Sequence, residues 1–268
     1  MNIISNPHLR EIENHIQSFA SSTLEELGTL HLHNRFDEKY LFLLKQLPAF
    51  LEQLRRHYRV VKEVVPGCRR YNNLYFDTPE LTCYLMHHND RANRYKIRFR
   101  QYVSTGHCFL EIKKKLNKGL TTKVRMPAEQ LTTWLTNSQK AFLAHQEVKE
   151  TDRLVPSLYT FFNRITLISI DHTERITLDY DLSYQAGDRI LPVPQLVVAE
   201  VKQQQPAYHS PFRALMLHQR IFPVTFSKYC MGIVLTHPWV KHNRFKPRLL
   251  YFRRLLNGSL PYEPAANL

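Results

Sequence analysis

The sequence is poor in glycine, acidic residues and cysteine, and it has no long apolar run. With seven glycines in 268 residues and no G-x-x-x-x-G-K-[ST] loop, anions cannot be cradled by a glycine-rich nest and must be held by side chains. Cys68, Cys83, Cys108 and Cys230 form no C-x-x-C pair, which argues against zinc and, in a chain this long, against a disulfide framework. No stretch has the apolar length of a membrane-spanning helix, and the N-terminus shows no basic-then-apolar signal pattern, so a soluble, cytoplasmic protein without a transmembrane segment is expected. Neither a G-x-S-x-G elbow nor an H-E-x-x-H pair occurs, which removes two common hydrolytic chemistries. Acidic residues number 23 against 37 Lys and Arg, a net charge of +14, so the partners to expect are anions: phosphates, nucleic acid or an acidic surface.

What is present is concentrated between Asn93 and Pro127, which reads as three successive strands. Lys96, Arg98 and Arg100 alternate with Tyr95, Ile97 and Phe99; alternate side chains of a strand share a face, so the cations stand in one row. After Ser104-Thr105-Gly106, Glu111, Lys113 and Lys115 oppose Cys108, Leu110 and Ile112; after Asn117-Lys118-Gly119, Thr121, Lys123 and Arg125 oppose Thr122, Val124 and Met126. One such strand is ordinarily half-buried with a solvated outer face. Three adjacent ones set like charges across a ladder, which destabilises a sheet unless an anion lies on it. A polyanion is the expected occupant.

These residues resemble a known family. R-x-K-x-R-x-R-x-Y (Arg94, Lys96, Arg98, Arg100, Tyr102), F-L-E-x-K (Phe109 to Lys113) and T-x-K-x-R (Thr121, Lys123, Arg125) look like the VTC polyphosphate polymerase domain, one of the triphosphate tunnel metalloenzymes related to the CYTH proteins. The resemblance implies an α+β fold, a closed antiparallel eight-stranded β-barrel decorated by peripheral helices, with a triphosphate or polyphosphate inside and a divalent metal, Mn²⁺ or Mg²⁺, on a carboxylate. The expected organisation is an N-terminal helical extension over 1–30, the tunnel domain over 31–236, and a basic segment over 237–268.

The remaining motifs follow in order. Ile12, Ile16 and Phe19 predict a short helix, and Leu24 and Leu27 a second one capped at Ser22 or Thr23. Arg35-Phe36-Asp37-Glu38-Lys39-Tyr40 resembles the family's opening strand, with Asp37 where Glu is usual and Lys39 toward phosphate. Leu41–Tyr58 reads as an amphipathic helix interrupted at Pro48. Tyr71 to Pro79 reads as a strand running into a turn, with Asp77 capping a short helix over Leu81–His88. Lys140–Thr151 and Arg213–His218 read as helical, Leu158–Ser169 as a strand, and Gln185–Pro194 as a loop. By resemblance, Arg164 and Arg175 are phosphate ligands, although a lone Arg in an apolar strand also suits an internal ion pair. Asp179 and Asp181 share a face with Arg175 and could hold a cation or orient the arginine. Glu200 and Lys202 are the charges of the strand Leu196–Lys202. In the family the matching Glu binds the metal; a pairing with an arginine is the plainer reading. Phe226 to Tyr229 resembles F-S-K-[FY], placing Ser227 and Lys228 at the tunnel mouth. The basic segment after 237 either covers the barrel end or receives polyanions.

The implied activity is transfer of the γ-phosphate of ATP to a growing polyphosphate chain, releasing ADP. Lys39, Arg98, Arg100, Lys113, Lys123, Arg164 and Arg175 would act on the phosphates. Lys96, Glu111, Lys115, Arg125, Lys202, Ser227 and Lys228 would bind substrate, and Glu200 the metal. A tunnel-fold triphosphatase and a non-catalytic polyanion-binding protein are the alternatives; nucleic acid is not the expected ligand, and the residues leave the oligomeric state open.

Overall fold

The computed structural model describes residues 7–23, 36–62, 69–116, 121–203 and 210–258. Arg35, Cys68, the helix expected around Leu24 and Leu27, and the Asn117-Lys118-Gly119 turn lie outside these residues. The chain divides into two units: Met1–Arg69 with Asn163–Leu182 and Pro194–Phe226, and Arg70–Phe162 with Ser183–Val193 and Ser227–Leu268.

In the first unit, β2 (Phe36–Leu43) pairs antiparallel with β11 (Leu196–Gln203), which pairs antiparallel with β9 (Glu174–Ala186). A short β1 (Ser21–Ser22) runs parallel to β3 (Tyr58–Val61), which pairs with β8 (Val155–Ser169). Strand alternation gives one face to Tyr40, Phe42, Val197, Ala199, Val201, Ile176 and Leu178. This face forms a core with Ile12 and Ile16 of α1 (Pro7–Gln17), with α2 (Leu47–Leu54) and with Phe212 and Met216 of α5 (Pro211–His218). The helix expected over Leu41–Tyr58 is therefore much shorter. Leu41 and Phe42 continue the strand, a 3₁₀ turn covers Leu44–Gln46, and Pro48 sits in the first turn of α2, where its missing N–H costs nothing. Likewise Ser22, expected to cap a helix, lies in β1.

In the second unit, β4 (Arg70–Asp77), β5 (Arg94–Tyr102), β6 (Cys108–Lys115) and β7 (Thr121–Ala128) form antiparallel neighbours. One face buries Leu74, Phe76, Ile97, Phe99, Leu110 and Ile112 against Leu143 of α4 (Asn137–His145). Gly106, at φ +74°, closes the β5–β6 turn where a side chain would be strained. Asp77 accepts the N–H groups of Cys83 and Tyr84, capping α3 (Thr82–His88) in the way its position at the end of β4 suggests. The loop expected over Gln185–Pro194 instead holds β10 (Arg189–Val193), paired with β9: Gly187 turns the chain at φ +54°, and Leu191 and Val193 are buried. The unit also holds α6 (Lys228–Thr236) and α7 (Lys246–Leu255).

The hydrogen-bonded order is β2-β11-β9-β8-β4-β5-β6-β7 within an eleven-stranded sheet. Its end strands β2 and β7 do not pair among the described residues, so the closed eight-stranded barrel is not observed. Charged Lys123 and Arg125, together with Pro127, mark β7 as an edge strand.

Candidate phosphate-binding and carboxylate sites

Cross-strand register converts the basic strands of the second unit into rows. Tyr75, Arg98, Glu111 and Arg125 stand opposite one another, as do Lys96, Lys113 and Lys123, then Arg94 and Lys115, and finally Asn73 and Arg100. On β5–β7 this face carries Arg94, Lys96, Arg98, Arg100, Lys113, Lys115, Lys123 and Arg125 against one carboxylate, Glu111.

Glu111 is 2% exposed and organises three of those cations. Its Oε2 accepts from Arg98 Nε at 2.9 Å and Nη2 at 2.7 Å, its Oε1 accepts from Lys123 Nζ at 2.5 Å, and Arg100 Nε stands 3.8 Å from Oε2. Burial raises its pKa, but Arg98, Arg100 and Lys123 together outweigh burial and hold the carboxyl well below the usual range. Lys123 is pushed down to about 8: burial and the neighbouring guanidiniums disfavour its charge more than Glu111 favours it.

The arginines are also held from β4. Tyr75 Oη accepts from Arg98 Nη1 at 2.9 Å, and its ring lies 5.6 Å from that guanidinium. Asn73 Oδ1 accepts from Arg100 Nε at 2.9 Å, while its amide donates to the Thr160 carbonyl at 3.1 Å. Burial raises the Tyr75 pKa, yet Arg98 and Arg100 bring it below its ordinary value. Behind Tyr75, Tyr229 stacks at 4.8 Å and donates its hydroxyl to Asp77. Sequence reasoning did not assign Asn73 and Tyr75 to the site; their alternation with Leu74 and Phe76 on β4 was the available signal.

Other predicted residues take different positions. Arg125 lies over the Phe109 ring at 4.5 Å. Ser227 caps α6 by accepting the Cys230 N–H at 3.3 Å, and Lys228 Nζ stands 4.8 Å from the Phe162 ring centre.

The second group lies on the first unit. Lys39, Glu200 and Thr177 are opposite one another across β2, β11 and β9, and Asp37, Lys202 and Arg175 form the adjacent row. Glu200 Oε1 is 2.5 Å from Lys202 Nζ and 4.0 Å from Lys39 Nζ. Burial raises the Glu200 pKa, and Lys202, Lys39 and Arg164 drive it well below the ordinary value, so the group is a carboxylate. Arg164 makes a two-pronged contact with Asp179, Nε to Oδ1 at 2.6 Å and Nη2 to Oδ2 at 2.8 Å, so the internal ion pair expected as one reading of that arginine is present. Asp181 adopts φ +52°, which interrupts the alternation expected to align it with Asp179.

No group of three His, Cys, Asp or Glu suited to a metal exists among the described residues. Beside the Glu200 carboxylate, however, Thr177 Oγ1, opposite it in register, is buried without a hydrogen-bond partner among the described residues. These hard oxygen donors fit an ion such as Mg²⁺ or Mn²⁺, which can bind through one carboxylate and complete its shell with water and phosphate.

A family model described as the VTC domain matches residues 34–237. The chain belongs to the VTC domain family. No curated protein matches this VTC chain. It is similar to several solved structures. The Hippeastrum protein HpAC1, described as having a dominant triphosphatase activity, is 15% identical over 73% of this chain and 93% of that one, with a TM-score of 0.45. A candidate adenylate cyclase from Vibrio parahaemolyticus is 14% identical over 74% and 97%, with a TM-score of 0.43. The S. pombe Pct1 RNA triphosphatase is 11% identical over 90% and 92%, with a TM-score of 0.29. The family assignment rests on the VTC match. No helix among the described residues is long and apolar enough to cross a membrane.

Proposed function

We propose that this VTC domain protein is a metal-dependent polyphosphate polymerase that uses ATP. The observation that carries the reading is the cationic face of β5–β7, where Lys96, Lys113 and Lys123 stand directly opposite one another beside an arginine pair that shares the Glu111 carboxylate. Such an arrangement is electrostatically unfavourable without an anion and favourable with one. In the proposed reaction a terminal oxygen of the polyphosphate chain forms a bond to the γ-phosphorus of ATP. The bond from that phosphorus to the β–γ bridging oxygen breaks, and its electron pair leaves with ADP. The attacking oxygen is already anionic, so no strong general base is needed, and catalysis reduces to positioning and stabilisation of the equatorial oxygens.

In this reading Arg98, Arg100, Lys113 and Lys123 neutralise phosphate oxygens on the second unit, with Lys96, Lys115, Arg125, Ser227 and Lys228 contacting the chain. Glu111 aims the arginines. On the first unit Lys39, Arg164, Arg175 and Lys202 are the phosphate ligands, and Glu200 with Thr177 would hold the divalent ion. A bound ion supplies charge neutralisation to phosphate oxygens.

Titration calorimetry with tripolyphosphate tests the binding half of the proposal. Arg98→Ala and Arg100→Ala should each weaken affinity by roughly ten- to a hundred-fold, the loss of a charge-assisted hydrogen bond of about 1.5–3 kcal/mol. Native affinity in both variants would remove this face as the phosphate site.

A further inference from the structure

Residues 241–258 lie outside the two sites. They contain Lys241, Arg244, Lys246, Arg248, Arg253 and Arg254 and no Asp or Glu. None of these cations has a carboxylate partner among the described residues. The segment is nevertheless firmly anchored within its unit. Tyr84 Oη donates to the Lys241 carbonyl at 2.8 Å, the Arg244 N–H meets His88 Nε2 at 3.3 Å, and the Phe245 ring packs edge-on against His88 at 5.4 Å.

Helix α7 continues from that anchor and buries Leu249 and Phe252, followed by Leu256. At about 100° per residue, the side opposite those residues carries Leu250, Arg254, Pro247 and Tyr251. Leu250 is 54% exposed and Tyr251 38% exposed. Lys246 and Arg253 border this strip on one edge and Arg248 on the other.

We propose that α7 docks the protein on an anionic lipid surface, lying in the headgroup plane. Leu250 and Tyr251 would face the acyl boundary, and the flanking cations would meet lipid phosphates and carboxylates. Charge complementarity alone would admit any polyanion. The position of Leu250 and Tyr251 selects lipid, because a free polyphosphate or nucleic acid chain on the same cations leaves Leu250 in water, whereas a bilayer interface takes both kinds of side chain. The proposal is independent of the catalytic reading.

The experiment is co-sedimentation of the full chain with sucrose-loaded vesicles of phosphatidylcholine, with or without about 30% phosphatidylserine. Binding should require phosphatidylserine and weaken as salt rises. Arg253→Gln with Arg254→Gln should lose roughly twenty-five-fold in partitioning, about fivefold per cation. Leu250→Ser with Tyr251→Ser should also lose several-fold at unchanged charge. Unchanged melting temperatures would verify that both variants fold, and either one alone suffices for the test. Absence of vesicle binding, equal binding to phosphatidylcholine alone, or phosphatidylserine binding indifferent to Leu250 and Tyr251 would overturn the proposal. So would capture of inorganic polyphosphate through these arginines with no vesicle binding.

Discussion

Replacing Glu111 by Gln probes how the cationic face is held together. The substitution keeps the shape of the side chain and one acceptor oxygen, but removes the charge facing Arg98, Arg100 and Lys123 and turns an amide NH₂ toward a cation. Removing one partner of a buried ion pair costs about 3–5 kcal/mol. The lower end applies here, since the Lys123 side chain is 41% exposed and can turn to water, leaving a loss of about 3 kcal/mol that comes chiefly from the arginines. At about 2–4 °C per kcal/mol for a chain of this size, the variant should melt about 6–12 °C below the native protein. Tripolyphosphate should then restore more stability to the variant than it adds to the native protein, because the competing carboxylate is gone; about 2.7 kcal/mol is available at a hundred times Kd. Differential scanning fluorimetry with and without tripolyphosphate measures both quantities. A variant within about 2 °C of native, or one stabilised no more than native by tripolyphosphate, would refute the assignment of Glu111 as the counter-ion of an anion site.

Other expectations concern pH, packing and the Glu200 carboxylate. The Lys123 amine, pushed to about 8, is charged below that pH and neutral above it, so tripolyphosphate affinity should fall between pH 7 and pH 9, and Lys123→Arg should flatten that fall in calorimetric titrations. For stability the sign is opposite: between about 8 and the ordinary 10.5 the unfolded state binds more protons, so this group's contribution rises with pH. Glu111, with its pKa depressed, stabilises fully above the ordinary carboxylate value of about 4.3 and loses that contribution as pH falls below it, which urea midpoints across pH 3–6 would register. Gly232→Ala would set a Cβ 2.5 Å from Leu158 Cδ2 and 2.6 Å from Tyr184 Cδ1. A loss of about 1–3 kcal/mol in denaturant melts is expected, and an unchanged midpoint would refute close packing of Gly232 against Leu158 and Tyr184. Glu200→Gln should leave the fold intact and remove saturable Mn²⁺ binding, read by paramagnetic relaxation in the presence of tripolyphosphate; retained binding would place the ion elsewhere.

Much of the cationic site was legible because strand periodicity is simple. Alternation in Arg94–Tyr102 and Cys108–Lys115 assigns each charge to a face without knowledge of its neighbours. Register is not encoded that way. Nothing in the spacing shows that Glu111 meets Arg98 directly and Lys123 diagonally, or that Tyr75 and Asn73 of β4 hold the two arginines from the other side. The Arg164–Asp179 pair was legible only as one of two readings, since an apolar strand with a single Arg serves equally for either. Fold errors have similar causes. Leu41 to Leu44 is a continuous apolar run that fits a helix face or a buried strand, and pairing of its first three residues with β11 decides it. Closure of a sheet depends on whether its end strands meet, which no local pattern reports. Gly187 signalled a turn, but the buried Leu191 and Val193 that make the following stretch a strand were hidden among Pro and Gly.

The most direct test of the account is incubation of the purified protein with ATP and Mn²⁺ or Mg²⁺, with separate determination of ADP, free phosphate and long-chain polyphosphate. Polyphosphate should appear in step with ADP, with little free phosphate, and both products should be lost in Glu200→Gln. Free phosphate released in step with ADP and no polymer would contradict the polymerase and establish a triphosphatase on the same residues.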